Sequence, residues 1–322
     1  MWQFAPANTK AFIGIRWNNV RDSQIARALK QQLTDGGFAA MPFFSILKDI
    51  DEAIIASPGK QPDDPDDKQA PVLIRVTGHF RAGELERMLS SEGTHAQSYR
   101  QKKVYRQKKS GDMAVTLVDD HTLLLGDAAS VFAALDRMEW PAPATNPLLA
   151  RAMKLRADYD LWALSAIAPT ELAGRLMPDL PLFGDANGLE LGVSLRTGLD
   201  LKLGLDTASD ESAAKLAAEL QKVLKLTAKD MLQGADRAKT ADIASAMKKI
   251  QIGADKSSVR LTLRLDAAEV ERSLAEAANR RRAARPTVAQ TIPSRPQPPP
   301  PPQNQSIHIE GLDDGPKDVP LN

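Results

Sequence analysis

The densest set of ligand-binding groups in the chain lies between Tyr99 and Lys109, where Tyr99-Arg100-Gln101-Lys102-Lys103-Val104 is followed by Tyr105-Arg106-Gln107-Lys108-Lys109. Six cations and two tyrosines without an acid could hold phosphates and stack bases. Lysines also guard an exposed sheet edge against aggregation, and the run reads more simply as such an edge strand. The whole chain has 42 basic and 41 acidic side chains. That balance gives no global field to select nucleic acid or an anionic membrane. A second basic group, Arg280, Arg281, Arg282 and Arg285, could take anions too. Cations at a helix C-terminus complement its dipole, which is the plainer reading.

Other chemistry is sparse. The four histidines (His79, His95, His121 and His308) show no metal-ligand spacing such as His-Glu-x-x-His. Asp119-Asp120-His121 places an acid beside a histidine, but where a hairpin must turn and such residues are favoured for backbone reasons. Asp63-Asp64-Pro65-Asp66-Asp67 lacks the spacing of a calcium loop and has proline at its centre. Phosphate-loop, dinucleotide and nucleophile-elbow patterns are absent, so the sequence asks for no cofactor and no metal. Without cysteine there is no disulfide, thiol catalysis or thiolate metal site.

The elements that would position these groups follow from periodicity. Leu189, Leu191, Val193 and Leu195 alternate with polar residues and glycine, as do Leu199, Leu201, Leu203 and Leu205. A period of two sends the leucines to one face of a strand and the charges to the other. Setting Leu195 opposite Leu199 leaves Arg196-Thr197-Gly198 as the loop of a hairpin. A sheet with one dry face needs a roof of helices. Further strands are expected over 11–17, 52–56, 72–78, 113–118, 122–125, 161–167, 250–252 and 259–265. Helices are expected after Ser23 (Ile25, Leu29, Leu33), around Leu85 to Leu89, from Asp127, over 148–155, through Leu216 to Leu224, at Ile243 to Met247, and from Asp266.

Two junctions match: Asp127-Ala-Ala-Ser-Val131 with Leu135, and Asp266-Ala-Ala-Glu-Val270 with Leu274. The expected class is therefore α+β, with two similar modules, 1–140 and 148–285, joined by a linker over 141–147. Each module is an antiparallel sheet covered on one face by helices. Residues 286–305 form a proline-rich segment, expected to be a disordered, extended tether, and 306–322 a strand-like C-terminal peptide. Arg295, Pro298 and Pro301 fit an Arg-x-x-Pro-x-x-Pro ligand for an aromatic groove, although a spacer explains them as well. Ile307 and Ile309 could add a strand to the chain's own sheet edge or to a partner protein. No apolar run reaches the roughly 20 residues of a membrane span. The start, MWQFAPANTK, does not read as a signal peptide.

With Pro6-Ala7-Asn8-Thr9 ahead of the first strand, the tyrosine-rich strand Tyr99–Tyr105, the acidic hairpin running from Asp119 into Val131, and Asn146-Pro147, the chain resembles a loose group of bacterial exported proteins of unknown function. The likeness spans roughly residues 5 to 165. It implies a periplasmic or exported location, the alternative being cytoplasmic, and it supplies no activity or catalytic residues. The expected function is a non-enzymatic, exported or envelope-associated binding protein that meets a protein partner through its tail. The alternatives are an anion or nucleic-acid binder using residues 99–109 and 280–285, and an enzyme with a site at the seam between the modules.

Overall fold

The computed structural model describes residues 2–23, 49–59, 70–90, 94–107, 112–140, 146–168, 186–233, 245–273, 306–309 and 317–320. The chain divides into two compact units, Met1–Ala278 and Asn279–Asn322. Among the described residues the larger unit holds β1 (Ala11–Ile15), β2 (Ile50–Ser57), β3 (Leu73–Gly78), β4 (Thr94–Tyr99), β5 (Lys102–Gln107), β6 (Met113–Asp119), β7 (Thr122–Asp127), β8 (Leu161–Ser165), β9 (Ala186–Ser194), β10 (Gly198–Thr207), β11 (Gln251–Asp255) and β12 (Ser258–Asp266). Its helices include α1 (Trp17–Val20), α2 (Ala82–Leu89), α3 (Ala128–Glu139), α4 (Leu148–Asp158) and α5 (Asp210–Gln233), and residues 245–248 and 267–273 are helical too.

The twelve strands make one antiparallel sheet in the order β11-β12-β10-β9-β8-β1-β2-β3-β7-β6-β5-β4. The protein is α+β, and the same connectivity occurs twice in it. A three-strand meander (β1-β2-β3, β8-β9-β10) is followed by a hairpin whose second strand returns to pair with the third (β6-β7, β11-β12). The two halves meet edge to edge through β1 and β8, with Ile13 opposite Ala163, so they share a single sheet. The first half adds the hairpin β4-β5 at its outer edge.

The leucine hairpin has the expected register. Leu201 lies opposite Val193, Leu203 opposite Leu191 and Leu205 opposite Leu189. Gly198, at φ 143°, supplies the positive φ at the loop. Leu205 and Val259 are buried beneath Ala213, Leu216 and Ala217 of α5. The opposite face is polar and pairs with itself: Arg264 with Asp200, Lys202 with Glu190, and Arg151 of α4 with both Glu190 and Asp206. The first half carries apolar residues on both faces. Leu73, Leu124, Ala114 and Val104 share a cluster with Val131 and Leu135 of α3 and Leu155 of α4. Val76 and Leu123 pack instead with Phe80 and with Leu85 of α2. Burial of each such aliphatic side chain contributes about 1.5–3 kcal/mol.

Both matched junctions are helix caps. Asp127 accepts from the Ser130 N–H at 2.8 Å. Asp266 accepts from the Glu269 N–H at 2.9 Å while Glu269 accepts from the Asp266 N–H at 3.1 Å, a reciprocal capping box. Trp162, buried on β8, lies in a cross-strand row between Gly14 and Gly192. A Cβ on Gly14 would strike the Trp162 indole and one on Gly192 would strike the Tyr159 ring. Small residues there let the aromatic rings lie flat along the sheet.

In the smaller unit, the expected strand at Ile307 and Ile309 forms β13 (Ser306–Ile309). It pairs antiparallel with β14 (Lys317–Pro320), Ile307 opposite Val319. The helix expected after Ser23, the acidic loop Asp63 to Asp67, the linker over 141–145 and the proline-rich segment lie outside the described residues.

Candidate functional site: an arginine cleft

The basic run does not form one surface. Residues Arg100 and Gln101 sit at positive φ in the turn between β4 and β5, so β4 is the outermost strand and Lys102–Gln107 lies one strand in. Alternation then divides the cations. Arg100 pairs with Asp136 and Glu139 of α3 and stacks over Trp140, its charge centre 4.2 Å from the ring. Lys103 reaches Glu86 of α2, on the other side of the sheet, at 3.2 Å. Arg106 is held by Asp112 through short contacts to both carboxylate oxygens. Lys102 is half-buried on β5. Lys108, Lys109, Arg280, Arg281, Arg282, Arg285, Arg295, Pro298 and Pro301 lie outside the described residues. Ile307 and Ile309 are placed in β13.

The Asp119-Asp120-His121 cluster is a turn. Asp119 accepts from the His121 N–H at 2.8 Å, and His121 Nδ1 lies 2.9 Å from the Gly78 carbonyl oxygen. Among the described residues no group of three or more histidine or carboxylate side chains is arranged to hold a metal ion. Nor is any described helix long and apolar enough to cross a membrane.

The site that the sequence reading missed lies beside this turn, on the sheet face beneath α3 and α4. A bulge at Ile50/Glu52 puts one extra β2 residue against β3 and reverses the side-chain alternation. Ile50 therefore packs with the α2 cluster, whereas Glu52 turns to the other face with Ile54. Glu52 is 6% exposed. Arg156, from the C-terminal turn of α4, donates to it through Nε at 2.6 Å. Arg75, opposite Ile54 on β3, approaches the same carboxylate only loosely, with Nη1 3.8 Å from Oε2. The Arg75 Nε–H is buried and meets no acceptor among the described residues. Burial pulls the Arg75 guanidinium below its ordinary pKa, opposed by the attraction of Glu52. It remains charged at any physiological pH.

Arg75 forms one wall of a cleft of about 430 Å³ bounded by Trp2, Gln3, Phe4, Val118, Asp119, Thr122 and Met138. The amino-terminal segment is its roof. Arg137 of α3 pins that roof, donating to the Phe4 carbonyl oxygen through Nε at 3.0 Å and Nη2 at 2.6 Å. Trp2 packs edge-on against Phe12 at 5.9 Å and lies 6.3 Å from Trp162. The result is a concave surface on which apolar residues alternate with polar ones, among them one loosely paired cation. Its lining offers hydrogen-bond donors, the Asp119 carboxylate and the Gln3 amide beside apolar walls, with Thr122 as the one hydroxyl among the lining residues.

No protein-family model matches the chain, and no curated protein matches it in sequence. Solved structures do. In fold, the chain resembles TP0453. Crystal form IV of TP0453 superposes with a TM-score of 0.51 at 10% identity, covering 85% of this chain and 94% of that one. Crystal form I gives 0.49, also at 10% identity, over 86% and 96%. At that identity the likeness to TP0453 is one of architecture alone.

Proposed function

We propose that this protein is a non-enzymatic binding protein whose recognition point for anions is the Arg75 cleft. The observation that carries the reading is Arg75 in the lining of a 430 Å³ cleft, only loosely paired with Glu52 and with its buried Nε–H lacking an acceptor among the described residues. A desolvated donor left unmade costs about 1–3 kcal/mol, more on a charged group, so its presence calls for a reason beyond the fold. The basic run at Arg100, Lys103 and Arg106 is a poorer anion site, because each of those cations already has an acidic partner. A location outside the cytoplasm and a protein partner for the C-terminal segment complete the proposal. They rest on the sequence likeness and on the separate compact unit that the segment forms.

The test is spectroscopic. With arginine side chains labelled in the full chain, the Arg75 Nε–H resonance is identified by its loss in Arg75→Lys. Titration with formate at constant ionic strength should move it progressively and to saturation. A resonance that stays fixed while other arginine signals respond equally to formate and chloride would contradict the reading.

A further inference from the structure

The outermost strand of the first half lacks the residues that keep sheet edges apart. Soluble proteins blunt such edges with lysine, proline, inward charges or bulges, because the unpaired backbone groups template another strand. The lysines expected to guard this edge fall one strand in, on β5, while β4 itself reads Thr94-His-Ala-Gln-Ser-Tyr99. It contains no Lys, Arg, Asp, Glu or Pro, and it pairs with β5 along its whole length without a bulge. His95, Ala96, Gln97 and Ser98 are all exposed. The opposite edge of the sheet is guarded. There Gln221 of α5 donates to the Ile252 carbonyl of β11 at 2.9 Å, and the Asp255–Arg260 ion pair stands on the same hairpin. We infer that β4 is a self-association surface, which pairs antiparallel with β4 of a second copy about a two-fold axis at Ala96.

Register and charge select a second copy as the occupant. Arg100 and Gln101, both at positive φ, make a two-residue loop, so Tyr99 and Lys102 exchange backbone hydrogen bonds. By alternation the backbone groups of Gln97 and His95 also bond to β5, and those of Ala96 and Ser98 point outward. An axis at Ala96 sets Ala96 against Ala96 of the second copy, Ser98 against Thr94, and His95 against Gln97. Small side chains meet on one face and neutral polar ones on the other, with no like charges opposed. The cations of β5 do not oppose the pairing. Lys103 and Arg106 are held by Glu86 and Asp112. The two β5 strands would also lie three strand spacings apart, about 14 Å, which exceeds the screening length of roughly 8 Å. At the turn of the same hairpin, Arg100 stacks on Trp140, which is 59% exposed. Tryptophan and arginine are the residue types that most often anchor an interface. The chain already joins its own halves through an edge of this kind, β1 against β8 with Ile13 opposite Ala163. A short strand edge buries less than the roughly 1,200 Å² of a stable pair, so the dimer should be reversible, with Kd about 10–100 µM.

Sedimentation velocity of the full chain between about 1 and 500 µM should show a monomer–dimer equilibrium. Ala96→Lys sets two like charges face to face and should weaken the dimer by about tenfold or more. Ala254→Lys, on the β11 edge, should leave it unchanged. Because the chain has no cysteine, the register can be read by cross-linking. Ala96→Cys brings two thiols together across the axis with Cα atoms about 5.5 Å apart, and mild oxidation should link them. Gln97→Cys, which faces His95 of the second copy rather than its own counterpart, should stay unlinked. A chain that remains monomeric to about 500 µM would overturn the inference. So would a dimer weakened by Ala254→Lys rather than by Ala96→Lys, or equal cross-linking of the two cysteine variants.

Discussion

Replacing Asp160 with alanine should cost the folded chain about 3–5 kcal/mol, the range for stripping one partner from a buried charged network. Asp160 is completely buried at the start of β8. Its carboxylate accepts from Asn19 Nδ2 at 2.9 Å, the Leu195 N–H at 3.0 Å, Arg16 Nη2 at 3.3 Å and Ser194 Oγ at 3.3 Å. Its main chain accepts from the Arg16 N–H at 2.7 Å and donates to the Val193 carbonyl. One side chain therefore ties the end of β1, helix α1 and the β9–β10 loop together at the seam where the two halves share a sheet.

Burial by itself would raise the Asp160 pKa. The hydrogen bonds from Asn19 and Leu195, followed by the charges of Arg196 and Arg16, outweigh it and hold the group below its ordinary value. A carboxylate depressed in the folded state stabilises fully above its unfolded pKa, about 3.9, and loses that contribution as pH falls through the folded value. The stability gap between the wild type and Asp160→Asn should thus be widest at neutral pH and shrink in acid. Urea unfolding at pH 7 and at about pH 3.5 measures it. A gap below about 1 kcal/mol at pH 7, or one that widens in acid, would show that Asp160 is not the tie described.

Arg156→Met should be the next most damaging change, at about 2 kcal/mol. It removes the 2.6 Å partner of a carboxylate only 6% exposed and leaves Glu52 with Arg75 at 3.8 Å. The arginine end of the pair is partly solvated, so the loss falls short of that for a fully buried pair. Most of it should return in Arg156→Met/Glu52→Gln, where no charge is stranded. A double mutant no more stable than Arg156→Met would locate the damage in lost α4 packing instead. The four unfolding free energies of this cycle separate the two causes.

Much of this architecture is written in local periodicity. The alternating leucines of 189–205 set both the register and the dry face of their hairpin, and Asp127 and Asp266 announce their helices through capping chemistry. The basic run reads as one feature along the chain, yet a strand sends neighbours to opposite faces. Arg100 and Lys103 consequently serve different helices. Arg75 and Glu52 carried a fainter signal: charged residues inside apolar strands, at positions that alternation turns toward a core. Their meeting depends on the β2 bulge and on the approach of Arg156 from a strand and helix about a hundred residues away, and neither is encoded locally.

If Arg75 is held for a ligand at the expense of the fold, the unfolding free energy of Arg75→Met reveals it without any ligand. Methionine keeps the apolar stem, removes the unfilled donor, and leaves Glu52 to its stronger partner Arg156. The variant should be as stable as the wild type or more so, measured by urea unfolding of the full chain at pH 7. A loss greater than about 1 kcal/mol would mean that the guanidinium supports the structure as it stands and is not kept for a ligand.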